Sequence, residues 1–530
     1  MKGIKPWEVA SLLDDKYILR IERYLPFMLI AIAFALRFYN LDLRPFHHDE
    51  SVHAHFSYLL FKQGTYKYEP LWHGPFQYYL TAILYRLFGD SEWISRMIPA
   101  LFGVALVALP FALKKYIGLK SSFITAFLLA ISPSFLYYSR FFRNDIYLAF
   151  FSLAAVVCVI HYLEKKKPLL IYLASFLFAL SLCTKENAYV TAFIFFSFAA
   201  LYILYTLRQR TPEDIMTILK DNKILLPTII SLSIIMMIYT SFYSFFFRNP
   251  QDSFALFRAV SHWASYHTGP TGPFFFYAAL SLLYELPILI FGIAGIFYFI
   301  RKKDMLMIFM SYWAISSFLI YSFVIYEKAP WLLLHLLLPL AFIGGKFIAE
   351  KLFFNSIEKE KVYKHLFTAF TLVIFSFSIY TSINLNYYHF DDPAEPMMQA
   401  AQPPSSFNDL MGRIKEVASE YDGYQTRIQV VDGIAITQYL WYLRHYDRIE
   451  WYPKELDAPI ILVSGDKVER ARNLSNYHQL NSSVMQWHWY PVTDYLSYVS
   501  LDYLVFREID KEPAKTEVIL FYKEEKEEVR

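Results

Sequence analysis

The feature that most limits what this chain can fold into is a series of long apolar runs. A helix needs roughly 20 apolar residues to cross the hydrocarbon core of a bilayer. Eleven such runs begin near Tyr24, Ile94, Ser122, Ile146, Leu169, Val190, Ile224, Tyr277, Met305, Trp331 and Leu366. Of the 530 residues 56% are hydrophobic and only 18% charged, more apolar surface than a soluble fold of this length can hide. The expectation is a polytopic α-helical membrane protein with about 11 transmembrane helices. Its first run follows a polar start containing Lys16, Arg20 and Arg23, with no small-residue cleavage site behind it, and reads as a retained span.

The net charge of +3 says little, but the placement of Lys and Arg says more. Alternate short loops carry Lys114, Lys115 and Lys120; Lys165, Lys166 and Lys167; Arg208, Arg210, Lys220 and Lys223; Arg301, Lys302 and Lys303; and Lys346, Lys351, Lys359, Lys361 and Lys364. Cytoplasmic loops are enriched in these residues, so the N-terminus is expected in the cytoplasm and the segment after about Leu385 outside. The triplets Asn473-Leu-Ser475 and Asn481-Ser-Ser483 are glycosylation acceptors by pattern. The only cysteines, Cys158 and Cys183, fall within or at the end of spans, which leaves the tail no disulfide framework.

This reading divides the chain into a membrane domain, residues 1–391, and an extracytoplasmic soluble α/β domain, residues 392–530. The first large outer loop, residues 40–94, carries two interfacial helices, at 53–61 and 76–88. A second outer loop, 247–276, holds Arg248, Asp252, Arg258, His262, Trp263, His267 and the Gly269-Pro-Thr-Gly-Pro273 turn signal, placed to form a lid over a site. In the tail, strands are expected at 428–431, 460–463, 503–506 and 518–522, with helices at 407–419 and 467–474.

Four outer loops each present acid together with base. The first opens with His47-His48-Asp49-Glu50-Ser51-Val52-His53 just after a span, where ionisable groups are costly and tend to be used. Zinc-protease spacing is absent, because Asp49 stands between His48 and Glu50. The loop Ser139-Arg140-Phe141-Phe142-Arg143-Asn144-Asp145 is either a local ion pair fixing two helix ends or an anion site, since guanidinium forks match phosphate oxygens. Thr184-Lys185-Glu186-Asn187 and Tyr326-Glu327-Lys328-Ala329-Pro330-Trp331 complete the set. Glu285, within an apolar run, and His335, one turn past Trp331, are candidates to line the same cavity. His73-Gly74-Pro75-Phe76 reads as a helix entry turn in which His73 is free to contact a ligand.

Taken in order, His47-His48-Asp49-Glu50-Ser51, Tyr66 to Pro70 with His73-Gly-Pro-Phe76, Arg143-Asn-Asp145, Lys185-Glu-Asn187, Tyr326-Glu-Lys-Ala-Pro-Trp331 and Trp441-Tyr-Leu-Arg444 resemble the GT-C class of membrane glycosyltransferases. These take sugar from a polyprenyl phosphate, as protein O-mannosyltransferases and aminoarabinose transferases do. The sequence most resembles the archaeal and bacterial flippase-activity-associated family. The resemblance implies a GT-C-like fold and an inverting glycosyltransferase working at the outer membrane boundary. It implies Asp49 as catalytic base with Glu50 beside it, and Arg143, Lys185, Lys328 and Arg140 as cations for the donor phosphate. His48, His73, Asp145, Glu186, Glu285, Glu327 and Trp331 are the supporting or substrate-binding candidates.

No cofactor is required on this reading; a divalent metal held by Asp49 and Asp145 is the option some relatives suggest. The implied partners are a polyprenyl-phosphate-linked sugar, membrane lipid and a glycan, lipid or protein acceptor, with no nucleic acid. Two other classes remain. A lipid-linked-sugar transporter or flippase expects spans broken by Gly or Pro and midplane charges. An accessory subunit of a glycan assembly system would use the tail to bind partners.

Overall fold

The computed structural model describes residues 24–208, 222–266, 271–353, 361–392, 395–398, 402–431, 433, 435–471, 474–485, 500–507 and 515–523. Lys16, Arg20, Arg23, Arg210, Lys220, Lys359, His267, the first two residues of the 269–273 turn, Pro393 and Asn473 lie outside them.

Each of the eleven apolar runs lies on helix. Among the described residues, seven helices are long and apolar enough to cross a membrane alone: Glu92–Ala112, Asp145–Lys165, Asn187–Leu207, Leu225–Tyr243, Met305–Val324, Pro330–Phe353 and Lys361–Tyr388. Two more runs are helix pairs bent by 64° (Leu119–Ile131 with Pro133–Ser139) and 115° (Phe276–Tyr284 with Leu286–Lys302). Of the remaining two, Pro168–Leu182 is shorter, and the described part of the first run is Tyr24–Phe38. Among the described residues, length and composition alone thus identify seven to nine spans, and the expected count of eleven is not confirmed. Both bends occur beside proline, which has no amide hydrogen to continue a helix and forces the preceding residue out of helical geometry. Glu285 joins the two breaks: its Oε1 accepts from Ser132 Oγ at 2.7 Å and from the Ser134 amide at 2.8 Å.

The Pro330–Phe353 helix is the central element, with 94% of its apolar window buried inside the protein. It packs against Leu286–Lys302, where an added Cβ on Gly295 would lie 2.6 Å from Ile343, so only glycine permits that approach. Basic loops gather at one end of the bundle, where Lys115 pairs with Glu164 and Lys302 with Glu350. The acid-and-base motif loops lie at the other.

In the first loop the second helix falls on Phe76–Phe88 as expected, but the first begins at His48 and runs to Gln63. It starts five residues early because His47 caps it. The His47 ring accepts from the Asp49 amide at 3.1 Å, and Glu50 Oε2 accepts from the His47 amide at 3.1 Å. Asp49 and Glu50 thus occupy a helical first turn, where exposed amides favour negative charge.

The tail builds a five-stranded sheet in the order β2-β1-β3-β5-β4. Strands β1 (Ile428–Val431), β2 (Ile449–Trp451) and β3 (Ile460–Ser464) run parallel, while β4 (His478–Met485) and β5 (Lys515–Tyr522) are antiparallel additions. Alternation along β3 sends Ile460 and Leu462 to one apolar cluster with Phe407, Leu410 and Ile414, and Ile461 and Val463 to another. The expected strand at 503–506 is instead part of a helix, Leu501–Phe506, whose Ser500 side chain caps the Tyr503 amide. The expected helix at 467–474 is a 3-10 segment, Gly465–Ala471.

The Ile436–Tyr442 helix of the tail docks on the first loop. The Phe46 amide donates to the Tyr442 hydroxyl oxygen at 2.8 Å, His55 Nδ1 meets the Leu440 carbonyl at 2.9 Å, and Arg444 pairs with Asp90 at 2.7 Å. Trp441 is buried between Phe46 and Tyr85. The Trp441-Tyr-Leu-Arg444 motif is therefore the tail's anchor.

Candidate active site

Gly74 sets the site's geometry. The Gly74 amide donates to the Thr184 carbonyl at 3.0 Å and the Phe76 amide to Cys183 at 3.0 Å, so backbone meets backbone. A Cβ on Gly74 would stand 2.3 Å from the Cys183 oxygen. This contact brings His73 beside the Lys185-Glu186 loop. His73 itself holds a left-handed backbone, φ 66°, unusual for a side-chain-bearing residue and typical of functional sites.

Arg143 is the hub. Its Nη1 pairs with Asp49 Oδ2, its Nε with Asp145 Oδ2 at 3.2 Å, and its Nη2 lies 3.4 Å from His73 Nε2. Arginine only donates, so His73 Nε2 is the acceptor there, and the Nδ1 proton goes to Glu186 Oε2 at 2.7 Å. Glu186 Oε1 accepts in turn from the Tyr68 hydroxyl at 3.0 Å. Lys185 Nζ reaches both oxygens of Asp145, at 2.9 and 3.0 Å, and His335 Nε2 stands 3.5 Å from Oδ1. The Trp331 ring lies under the Arg143 guanidinium at 3.6 Å and the Lys185 ammonium at 5.6 Å. Four separate loops thus meet at one cluster.

Asp49 is the member still open to a ligand, with its side chain 20% exposed. Among the described residues its second oxygen makes no hydrogen bond. Burial would raise its carboxyl, but Arg143 and the neighbouring histidines hold it well below the ordinary carboxylate range. Desolvation lowers the Lys185 ammonium, with Asp145 acting the other way. Desolvation also raises half-buried Glu327, despite Lys185, Arg143 and His73 nearby. His48 is held neutral by burial, pushed down to about 4, and bonds Thr437 of the tail at 2.6 Å.

Glu50 faces elsewhere. Fully buried, its Oε1 accepts from Arg96 Nε and the Phe142 amide, both at 2.8 Å, while Oε2 accepts from Arg96 at 2.7 Å and Arg44 at 3.2 Å. Three further candidates are not brought to the cluster. Arg140 spends its guanidinium on the carbonyls of Leu36, Arg37, Tyr39 and Asn40, closing the end of the first helix. Lys328 donates to the carbonyls of Tyr321, at 2.8 Å, and Ile325. Glu285 bonds Ser132 and Ser134 at the helix breaks.

Sequence reasoning missed Arg96, whose place in an apolar run was the available signal, since a buried guanidinium demands an acid. It included Tyr68 only within the Tyr66 to Pro70 motif and gave it no role. Trp263, read only as part of the lid loop, stacks on His73 at 5.8 Å, which brings the Ala255–Ser265 helix against the cluster. Among the described residues no group of three or more His, Cys, Asp and Glu side chains is arranged to hold a metal ion. Asp49 and Asp145 are instead bridged by Arg143, so the two carboxylates proposed for a metal are already answered by a guanidinium.

Residues 72–239 match the family described as dolichyl-phosphate-mannose-protein mannosyltransferase, a stretch that includes His73, Arg143, Asp145, Lys185 and Glu186. No curated protein matches in sequence. Among solved structures, ArnT from Cupriavidus metallidurans bound to undecaprenyl phosphate is similar over 93% of this chain and 97% of its own, at 14% identity and a TM-score of 0.57. The archaeal oligosaccharyltransferase AglB from Archaeoglobus fulgidus, in complex with an inhibitory peptide and a dolichol-phosphate, aligns over 80% of this chain and 64% of its own, at 15% identity and a TM-score of 0.55. The chain thus spans less than two thirds of AglB. At such identities the likeness speaks for the fold, and it agrees with the motifs: this is an integral membrane protein with the GT-C glycosyltransferase fold.

Proposed function

We propose that the chain transfers a hexose from a polyprenyl-phosphate donor to an acceptor at the outer face of the membrane. The observation that carries this is the convergence of Arg143 and Lys185 with the partly exposed carboxylate of Asp49. Asp49 takes the proton from the acceptor hydroxyl, whose oxygen attacks the anomeric carbon. The bond from that carbon to the phosphate oxygen breaks, and the phosphate leaves with the electron pair, its charge held by Arg143 and Lys185. One displacement inverts the anomeric configuration.

The Asp49–Arg143 pair adds a condition. A carboxylate held this acidic is a weak base, and a donor phosphate competes for the same guanidinium. Donor binding therefore frees Asp49 and raises its basicity when it is needed. His73, fixed by Glu186, keeps Arg143 oriented; Glu50 positions Asp49 by pinning the helix start. In this reading the N-terminus is cytoplasmic, the tail from 392 onward is an extracytoplasmic domain, and no metal takes part.

The test is incubation of the purified protein with a panel of radiolabelled polyprenyl-phosphate sugars and a membrane extract, with analysis of the labelled product and its anomeric configuration. Labelled acceptor that disappears in Asp49→Asn supports the assignment. The two broken helices favour the transporter reading on one point. Labelled lipid crossing vesicles with its sugar still attached would establish that reading and defeat this one.

A further inference from the structure

The basic end of the bundle holds a groove with no part in the chemistry above. It opens between the Leu286–Lys302 and Pro330–Phe353 helices, encloses about 580 Å³ and is lined by Ala294, Phe297, Tyr298, Arg301, Lys302, Phe347 and Lys351. The helices touch closely at Gly292, Gly295 and Gly344. One turn further on, the Tyr298–Phe347 pair, with ring centroids 5.5 Å apart, fills the interface and props the helices open.

Charge in the groove is unbalanced. Lys302 is answered by Glu350 at 2.6 Å, and Glu350 also accepts from the Tyr298 hydroxyl at 3.0 Å. Arg301 and Lys351 have no acidic partner among the described residues. Lys351 is held over the Tyr298 ring at 4.6 Å and the Phe347 ring at 5.6 Å, which fixes the ammonium at the rim without neutralising it. Below the rim the wall is apolar, and Phe297 is 63% exposed. Two cations without an acidic partner, Lys351 held over the rings and Arg301 exposed, above an apolar wall at the basic end of the bundle, match a ligand with a phosphodiester above acyl chains.

We propose that this groove binds the headgroup of an anionic phospholipid, with Arg301 and Lys351 on the phosphodiester and an acyl chain along Phe297. An arginine fork offers two parallel donors to two phosphate oxygens, and Lys351 adds a point charge. The site does not depend on the transferase reading, since none of its residues belongs to the Asp49 cluster.

The test uses the full chain, purified in detergent and stripped of lipid, then offered equimolar phosphatidylglycerol and phosphatidylcholine, with retained lipid counted by native mass spectrometry. Wild type should prefer phosphatidylglycerol. The Arg301→Gln/Lys351→Gln variant should lose that preference, by about five-fold per cation and roughly 30-fold in all. Single Lys351→Gln, with about a five-fold loss, serves if the double variant does not fold. Equal retention of both lipids by wild type, or a folded variant that keeps its preference, overturns the proposal. Lys185→Ala should keep the preference; losing it there would put the lipid at the Asp49 end and overturn the assignment equally.

Discussion

Replacing Glu50 by Gln preserves shape and removes one charge, and the structure says what that costs. Oε1 receives donors from Arg96 and Phe142, and Oε2 from Arg96, Arg44 and His47. Whichever way the amide turns, its NH2 faces at least two donors, and two buried guanidinium groups lose their counter-ion. Desolvation opposes ionisation of Glu50, but Arg96 and Arg44 prevail and lower its carboxyl from 4.5 to about 2. That depression corresponds to roughly 3 kcal/mol, and breaking a buried pair costs about 3–5 kcal/mol. Because the folded value is depressed, this stability is fully present above about pH 4.5 and fades as pH falls toward 2. Glu50→Gln should therefore lose about 3–5 kcal/mol near neutral pH, seen as an unfolding midpoint several degrees lower in detergent. It should also lack the wild-type fall in stability between pH 4.5 and 2. A variant within about 1 kcal/mol of wild type, with an unaltered acid limb, would refute the idea that Glu50 holds the helix start in place.

At its neighbour the readout is activity: Asp49→Asn should abolish transfer while the protein stays folded in detergent, and residual transfer would remove Asp49 as the base. Lys185→Ala should weaken binding of a polyprenyl phosphate about ten- to a hundred-fold, measured by titration. Lys328→Ala, whose ammonium serves carbonyls, should change it little, and equal losses in the two would contradict the division of labour among these cations. Chelator treatment should leave transfer unchanged, and activity restored by added divalent ion would overturn the metal-free mechanism.

The sequence by itself determined the membrane character and located the eleven apolar runs that lie on helix among the described residues, because hydropathy over some twenty residues is a local property that lipid imposes. It also marked the four loops that carry acid with base. It did not show which charges meet. Asp49 and Glu50 are neighbours in sequence, yet successive helical residues point about 100° apart. One therefore faces Arg143 and the other Arg44 and Arg96. Lys185 and Lys328 look alike as loop lysines, but only Lys185 finds an acid. Nor could propensity reveal that Ser500 caps a helix where a strand was expected, or that two runs bend at their prolines and are tied together by Glu285. Pairing between residues a hundred positions apart is decided by how the helices pack, and only the tertiary structure turned four polar loops into one candidate site.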